Sequence, residues 1–243
     1  VKQMRSRYQN TNGTRQTVPL GSRPLARSRA TTERKFMTLY PDKKSISKAE
    51  INELPMQAYE GPIVNCTTPE QAEEAAQELL QETLLGFDTE TRPSFRKGEH
   101  YLPALLQLAA PHKVYLFQLQ QCTLTPALLQ LLSRSDIIKA GVALKRDVDE
   151  LKQLTPFEPG GFVELATIAE AAEIKNLGLR ALTALLFGFR ISKKEQVSNW
   201  AKKILSDAQK KYAATDAWLG RNLYLAFKEK GLIHSSAPSS PPD

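Results

Sequence analysis

Asp88, Thr89 and Glu90 end the apolar run Leu84-Leu85-Gly86-Phe87, which reads as a buried strand. Residues two apart on a strand point to one face. The spacing therefore sets two carboxylates side by side at the end of a buried strand. Like charges so placed repel, and burying them is costly unless a cation compensates. A divalent cation is the usual compensation, because hard cations take carboxylate oxygens. The alternative is a strand that ends in a solvated acidic turn.

Two later segments add to this pair. Residues 137–151 read as a short strand, a glycine turn and a helix that carries Asp147 near its start. Farther on, Ser206-Asp207-Ala208-Gln209 fits a capping box, so Tyr212 and Asp216 fall inside a helix. At i and i+4 they share one helical face. Without Asp216, Tyr212 would read as an aromatic covering the core.

The ordered set Asp-x-Glu, Asp, Tyr-x-x-x-Asp resembles the DEDD superfamily of 3′–5′ exonucleases. The tyrosine is that of its RNase D and Werner-type branch, the DEDDy subgroup. The resemblance covers residues 60–231 and includes Leu105-Leu106-Gln107-Leu108, Leu177-Gly178-Leu179 and Ser198-Asn199-Trp200. It implies a metal-dependent 3′–5′ exonuclease that releases nucleoside 5′-monophosphates from single-stranded or recessed ends of DNA or RNA. It also implies an α/β fold, a ribonuclease H-like mixed sheet flanked by helices. Two ions, magnesium or manganese, about 3.5–4 Å apart would serve an in-line displacement. Asp88, Glu90 and Asp216 would ligate the first ion. Asp88 would bridge to the second, and Asp147 would hold that one through water. Tyr212 would orient the attacking water and help deprotonate it, chiefly the former, since a phenol with a pKa of about 10 is a poor base at neutral pH. The rival reading is a non-catalytic nucleic-acid-binding or scaffold module on the same fold. A second rival acts only within a larger complex, with the N-terminal arm as tether.

Substrate contacts are less sharply marked. Phe87, beside the paired acids, is placed either to stack on a terminal base or to fill the core. Arg92, Arg96, Lys97, Lys145 and Arg146 are candidate phosphate contacts or ordinary solvated charges. Lys193, Lys194, Lys202 and Lys203 precede the last motif and are candidates for the same cleft. Trp200 reads as a core residue. Glu99 and Glu164 fit no motif, and Asp149 cannot share the helical face of Asp147.

Composition narrows the classes. Cys66 and Cys122 are the only cysteines, with no CxxC pair, and His100, His112 and His234 are scattered. Any metal should therefore sit among oxygens, and no small-molecule cofactor is expected. No stretch approaches the ~18 apolar residues of a membrane span. The net charge of +7 is uneven. Residues 1–44 sum to +9 and the remainder to −2. A basic, Ser/Thr-rich arm of this kind is expected to be disordered. It suits a polyanion tether or an address, so the expected location is the cytoplasm, or the nucleus or an organelle if the arm targets it. Starting at Val1 suggests a fragment or a processed product. Oligomeric state is left open.

Residues 45–59 read as a linker or docking segment, with Ser47-x-x-Glu50 as a capping pattern. Residues 60–231 form the expected domain, and 232–243 a disordered Ser/Pro-rich tail. Strands are expected at 62–65, 84–90, 104–109, 113–117 and 137–140. Helices are expected at 68–81, 126–132, 144–154, 165–173, 179–187 and 207–230. Three meandering strands followed by alternating strands and helices predict a mixed sheet covered by helices.

Overall fold

Local chemistry starts most of the elements. The computed structural model describes residues 43–233 except 95 and 97. The tail from 234, and the basic arm except Lys43 and Lys44, lie outside the described residues. Helix α1 (Lys48–Glu53) opens on a capping box between Ser47 and Glu50. Strand β1 (Ile63–Cys66) leads to α2 (Pro69–Leu79), where the Thr68 hydroxyl accepts from Gln71 N–H and Pro69 occupies the first turn. Strands β2 (Leu84–Thr91), β3 (Pro103–Ala109) and β4 (Val114–Gln118) form the meander. Helices α3 (Leu119–Cys122) and α4 (Pro126–Ser133) precede β5 (Ile138–Gly141) and α5 (Leu144–Leu154). Then come β6 (Phe162–Glu164), α6 (Leu165–Ala171), α7 (Leu179–Phe187) and α8 (Asp207–Glu229). Ser206 and Gln209 close the capping box expected for α8.

The six strands form one mixed sheet in the order β1-β4-β3-β2-β5-β6. The β2–β3 and β3–β4 pairs are antiparallel, and β1–β4, β2–β5 and β5–β6 are parallel. Helices cover both faces. Leu85, Phe87, Leu106, Leu108 and Phe117 pack with α2, α4 and α5 on one side. Leu105, Ala109 and Leu116 pack on the other with Trp200 and Ala213, Ala214 and Ala217 of α8. This is the mixed, helix-flanked α/β sheet the sequence predicts. Helix α3 and strand β6 were not expected. A three-residue strand is too short to show a period of two, and β6 follows directly on a turn-rich loop.

Helix α8 lies unusually near the sheet. A Cβ added at Gly86 of β2 would come within 1.9 Å of the Ala217 carbonyl oxygen and 2.7 Å of the Arg221 nitrogen. One at Gly220 of α8 would come within 2.6 Å of the Ala140 carbonyl oxygen. Backbone meets backbone at both places, so no flexible side chain can yield. Gly86→Ala should therefore move α8 off β2 and cost at least about 1–3 kcal/mol, the usual penalty of overpacking. Urea melts of the two proteins measure it, and equal midpoints would show that the approach is less tight than described.

Candidate active site

Strand β2 and helix α8 bring the first acids together. Alternation along β2 turns Gly86, Asp88 and Glu90 toward α8. The missing side chain at Gly86 lets α8 approach, and Asp216 descends on the carboxylates of β2. Asp88, Glu90 and Asp216 each offer an oxygen, and these oxygens lie within 4.8 Å of one another. Tyr212, one turn before Asp216, donates its hydroxyl to the Asp216 carboxylate. Its ring leans on buried Trp200 at 5.9 Å between centroids.

Asp147 enters from α5, in the helix's first turn. That helix begins awkwardly. Ala143 sits at its N-cap with φ 64°, in the left-handed region, and has no capping side chain. Glu164 of β6 supplies the missing acceptor. Its carboxylate takes the N–H of Ala143 at 3.0 Å and of Leu144 at 2.7 Å, and also that of Ala166 in α6 at 2.9 Å. A carboxylate at two helix N-termini also complements both dipoles. Sequence reading missed this role. The available signal was an acid directly before the apolar start of α6, which is an N-cap position.

All four carboxyls and the phenol are displaced from their ordinary protonation. Burial, then the charges of Asp216 and Asp147, raises Asp88 well above the usual carboxylate range. Burial, then Asp88, Asp216 and Asp147, pushes Glu90 up to about 10. Burial pushes Asp216 up to about 7, with the Tyr212 hydrogen bond opposing. It pushes Asp147 up to about 6, with the Thr89 hydroxyl opposing. Burial and the neighbouring carboxylates raise Tyr212 far above an ordinary phenol. Asp147 thus acts electrostatically on Asp88 and Glu90, although it comes from the opposite layer of helices.

These acids lie in one cleft of about 710 Å³. Asp88, Glu90, Asp147, Tyr212 and Asp216, all picked out in the sequence, line it together. The proposed substrate contacts divide. Phe87 points to the other face of β2, is 1 % exposed and meets Phe162 edge-on at 5.1 Å. A ring so enclosed has no face left for a base, so Phe87 is a core residue and the stacking expectation falls. Arg92 lies over the Tyr101 ring, 4.8 Å from its centroid, and is not among the cleft's lining residues. Lys145 is exposed beside an adjoining hollow. Arg146 lines the cleft and binds Glu150 at 2.6 Å. Lys193 lines the cleft too. Lys97 lies outside the described residues.

Known proteins resemble this chain to different extents. The bifunctional 3'-5' exonuclease/ATP-dependent helicase WRN of Mus musculus is 32% identical over 161 residues. The match takes in 63% of this chain and 11% of WRN, so the chain spans only a small part of that relative. The Nibbler EXO domain of Aedes aegypti superposes with a TM-score of 0.65 at 22% identity, over 72% of this chain and 92% of that one. Escherichia coli RNase D superposes with a TM-score of 0.62 at 18% identity, over 72% and 47%. These two likenesses concern the fold. The family profile described as 3'-5' exonuclease matches residues 63–231, from the first strand of the sheet to just beyond the end of α8. With the profile covering most of the chain, the protein belongs to the 3'–5' exonuclease family.

Proposed function

We propose that this chain is a catalytically competent 3′–5′ exonuclease that uses divalent cations, magnesium or manganese, to hydrolyse phosphodiester bonds at the 3′ ends of nucleic acids. The observation that carries the reading is the set of Asp88, Glu90 and Asp216 oxygens within 4.8 Å of one another, with Asp147 and Tyr212 in the same cleft. A scaffold module would gain nothing from crowding repelling acids into one half-buried cleft. No helix among the described residues is long and apolar enough to cross a membrane.

The donor set fits a hard divalent cation. All the ligands on offer are carboxylate oxygens, and without a cation they are driven to hold protons. Asp88, Glu90 and Asp216 would hold such a cation, with Asp147 serving a second. When bound, cations of this kind acidify water and neutralise charge developing on a phosphoryl group. The chain's own groups do the rest. Tyr212 keeps its proton at any physiological pH, because burial, and after it three carboxylates, disfavours the phenolate. Its hydroxyl is held by Asp216 and its ring by Trp200, which leaves the phenol oxygen to orient a water as an acceptor and not to take its proton. Glu164 fixes the start of α5 and thereby the place of Asp147.

Activity should require magnesium or manganese and disappear with chelator, when followed on end-labelled DNA and RNA oligonucleotides. Asp88→Asn should lose at least about 10³-fold, since that side chain is central to cation binding. Activity within tenfold of wild type would remove Asp88 from the cation site. Tyr212→Phe should bind oligonucleotide normally and turn over about 10²-fold more slowly, the lower range for a group that positions a proton. Unchanged turnover would leave Tyr212 as a core aromatic.

Stability should depend on pH in an unusual direction. The four carboxyls hold protons in the folded chain well above the ordinary range near pH 4, which their unfolded forms obey. Between that range and about 10, the folded state binds more protons than the unfolded state. Stability contributed by these groups is then complete at the acidic end and is lost as pH rises. Cation binding expels those protons and should offset the loss. Thermal melts from mildly acidic to alkaline pH should therefore fall in chelator and fall less with magnesium. Coincident profiles would show that the acids ionise without cost.

A further inference from the structure

Residues 43–59 precede the part of the chain that the family profile matches. They are nevertheless built into the cleft. Ile46 and Ile51 are buried among α6, α7 and α8. The Ile46 N–H donates to Asn176 Oδ1 at 2.8 Å, and the Lys175 N–H donates to the Lys44 carbonyl at 2.8 Å. Beyond α1, Arg190 donates from Nε to the Leu54 carbonyl at 2.9 Å, and the Gln57 N–H donates to the Arg190 carbonyl at 2.9 Å. Ile46, Lys48 and Ile51 consequently line the same cleft as the acids.

The cleft has an uneven charge. Its acids are set by burial and by one another, with no cation among the influences on Asp88, Glu90 or Asp216. Lys48, Arg180 and Lys193 line it as well, and among the described residues none of the three has a carboxylate partner within ion-pair distance. They are therefore not counter-ions of the acids. Arg180 is the most constrained. It is half-buried in the first turn of α7, where desolvation makes an unpaired charge costly. Its Nη2 donates to Asn52 Oδ1 of α1 at 2.8 Å. A guanidinium held by a neutral acceptor keeps its charge and most of its donors for another anion. Lining the cleft without an ion pair to its acids, Arg180 is placed for a phosphate other than the one being cut.

We propose that Arg180 binds a backbone phosphate upstream of the scissile bond, and that Asn52 is the positioning residue that aims it. The segment 43–59 is then a wall of the substrate cleft, and the preferred substrate is a strand with at least one phosphate beyond the scissile one. This rests on the exonuclease reading above. The test compares a short oligothymidylate with the p-nitrophenyl ester of thymidine 5′-monophosphate, which carries only the phosphate to be cut. For Arg180→Gln, the oligonucleotide-to-ester ratio of kcat/KM should fall about tenfold or more, the loss expected of a charge-assisted contact. The log–log salt dependence of oligonucleotide binding, read by fluorescence anisotropy, should lose roughly 0.7 of slope, one phosphate on a single strand. Asn52→Ala should move both readouts the same way, and the double variant should be no worse than Arg180→Gln alone. An unchanged ratio with an unchanged slope would overturn the proposal. So would an additive double variant, which would detach Asn52 from Arg180. If the wild type cleaves neither substrate, the exonuclease reading fails, and the binding slopes still decide the role of Arg180.

Discussion

Mutual repulsion among Asp88, Glu90 and Asp216 is the constraint around which the molecule is arranged. Three carboxylates within 4.8 Å, Asp216 buried and the other two half-buried, do not stay together by attraction. They are held by the elements that carry them. Strand β2 contributes two because its alternation allows nothing else, and α8 contributes the third because it rests directly on the backbone of β2 and β5. The approach at Gly86 and Gly220, with Ala213, Ala214 and Ala217 between sheet and helix, replaces side-chain packing with contact that cannot relax. The fold stores electrostatic cost at the cleft, and a bound cation would relieve it.

The same constraint explains what the sequence made legible. An Asp-x-Glu at the end of an apolar run has few uses, and the Ser206–Gln209 capping box fixed the phase of the helix bearing Tyr212 and Asp216. The sheet was legible where strands were long or apolar on both faces, as in β3, every residue of which is buried. Features set by distant partners were not legible. Glu164 caps α5 from a strand too short to show a period. Asn52 meets Arg180 across 128 residues of sequence. Phe87 stayed open between stacking and core in the sequence because adjacency along a strand suggests proximity, whereas adjacent side chains on a strand face opposite layers. The basic charge of the chain was equally unhelpful to the domain, since all of the excess lies before residue 45 and the rest is slightly acidic.

Glu164 joins elements that the sheet alone would leave independent. Asp88, Glu90 and Asp216 stand on one unit, the sheet clamped to α8. Asp147 stands on α5, whose first turn is tied through a single carboxylate to β6 and to the start of α6. The acid cluster is therefore held by two separate sets of contacts, the β2–α8 backbone approach for three acids and the packing and capping of α5 for Asp147. The place of Asp147 is thus set by residues other than those that bring the three oxygens of Asp88, Glu90 and Asp216 together. Substitutions at the β6–α6 junction would then reach Asp147 through the start of α5 without touching Asp88, Glu90 or Asp216.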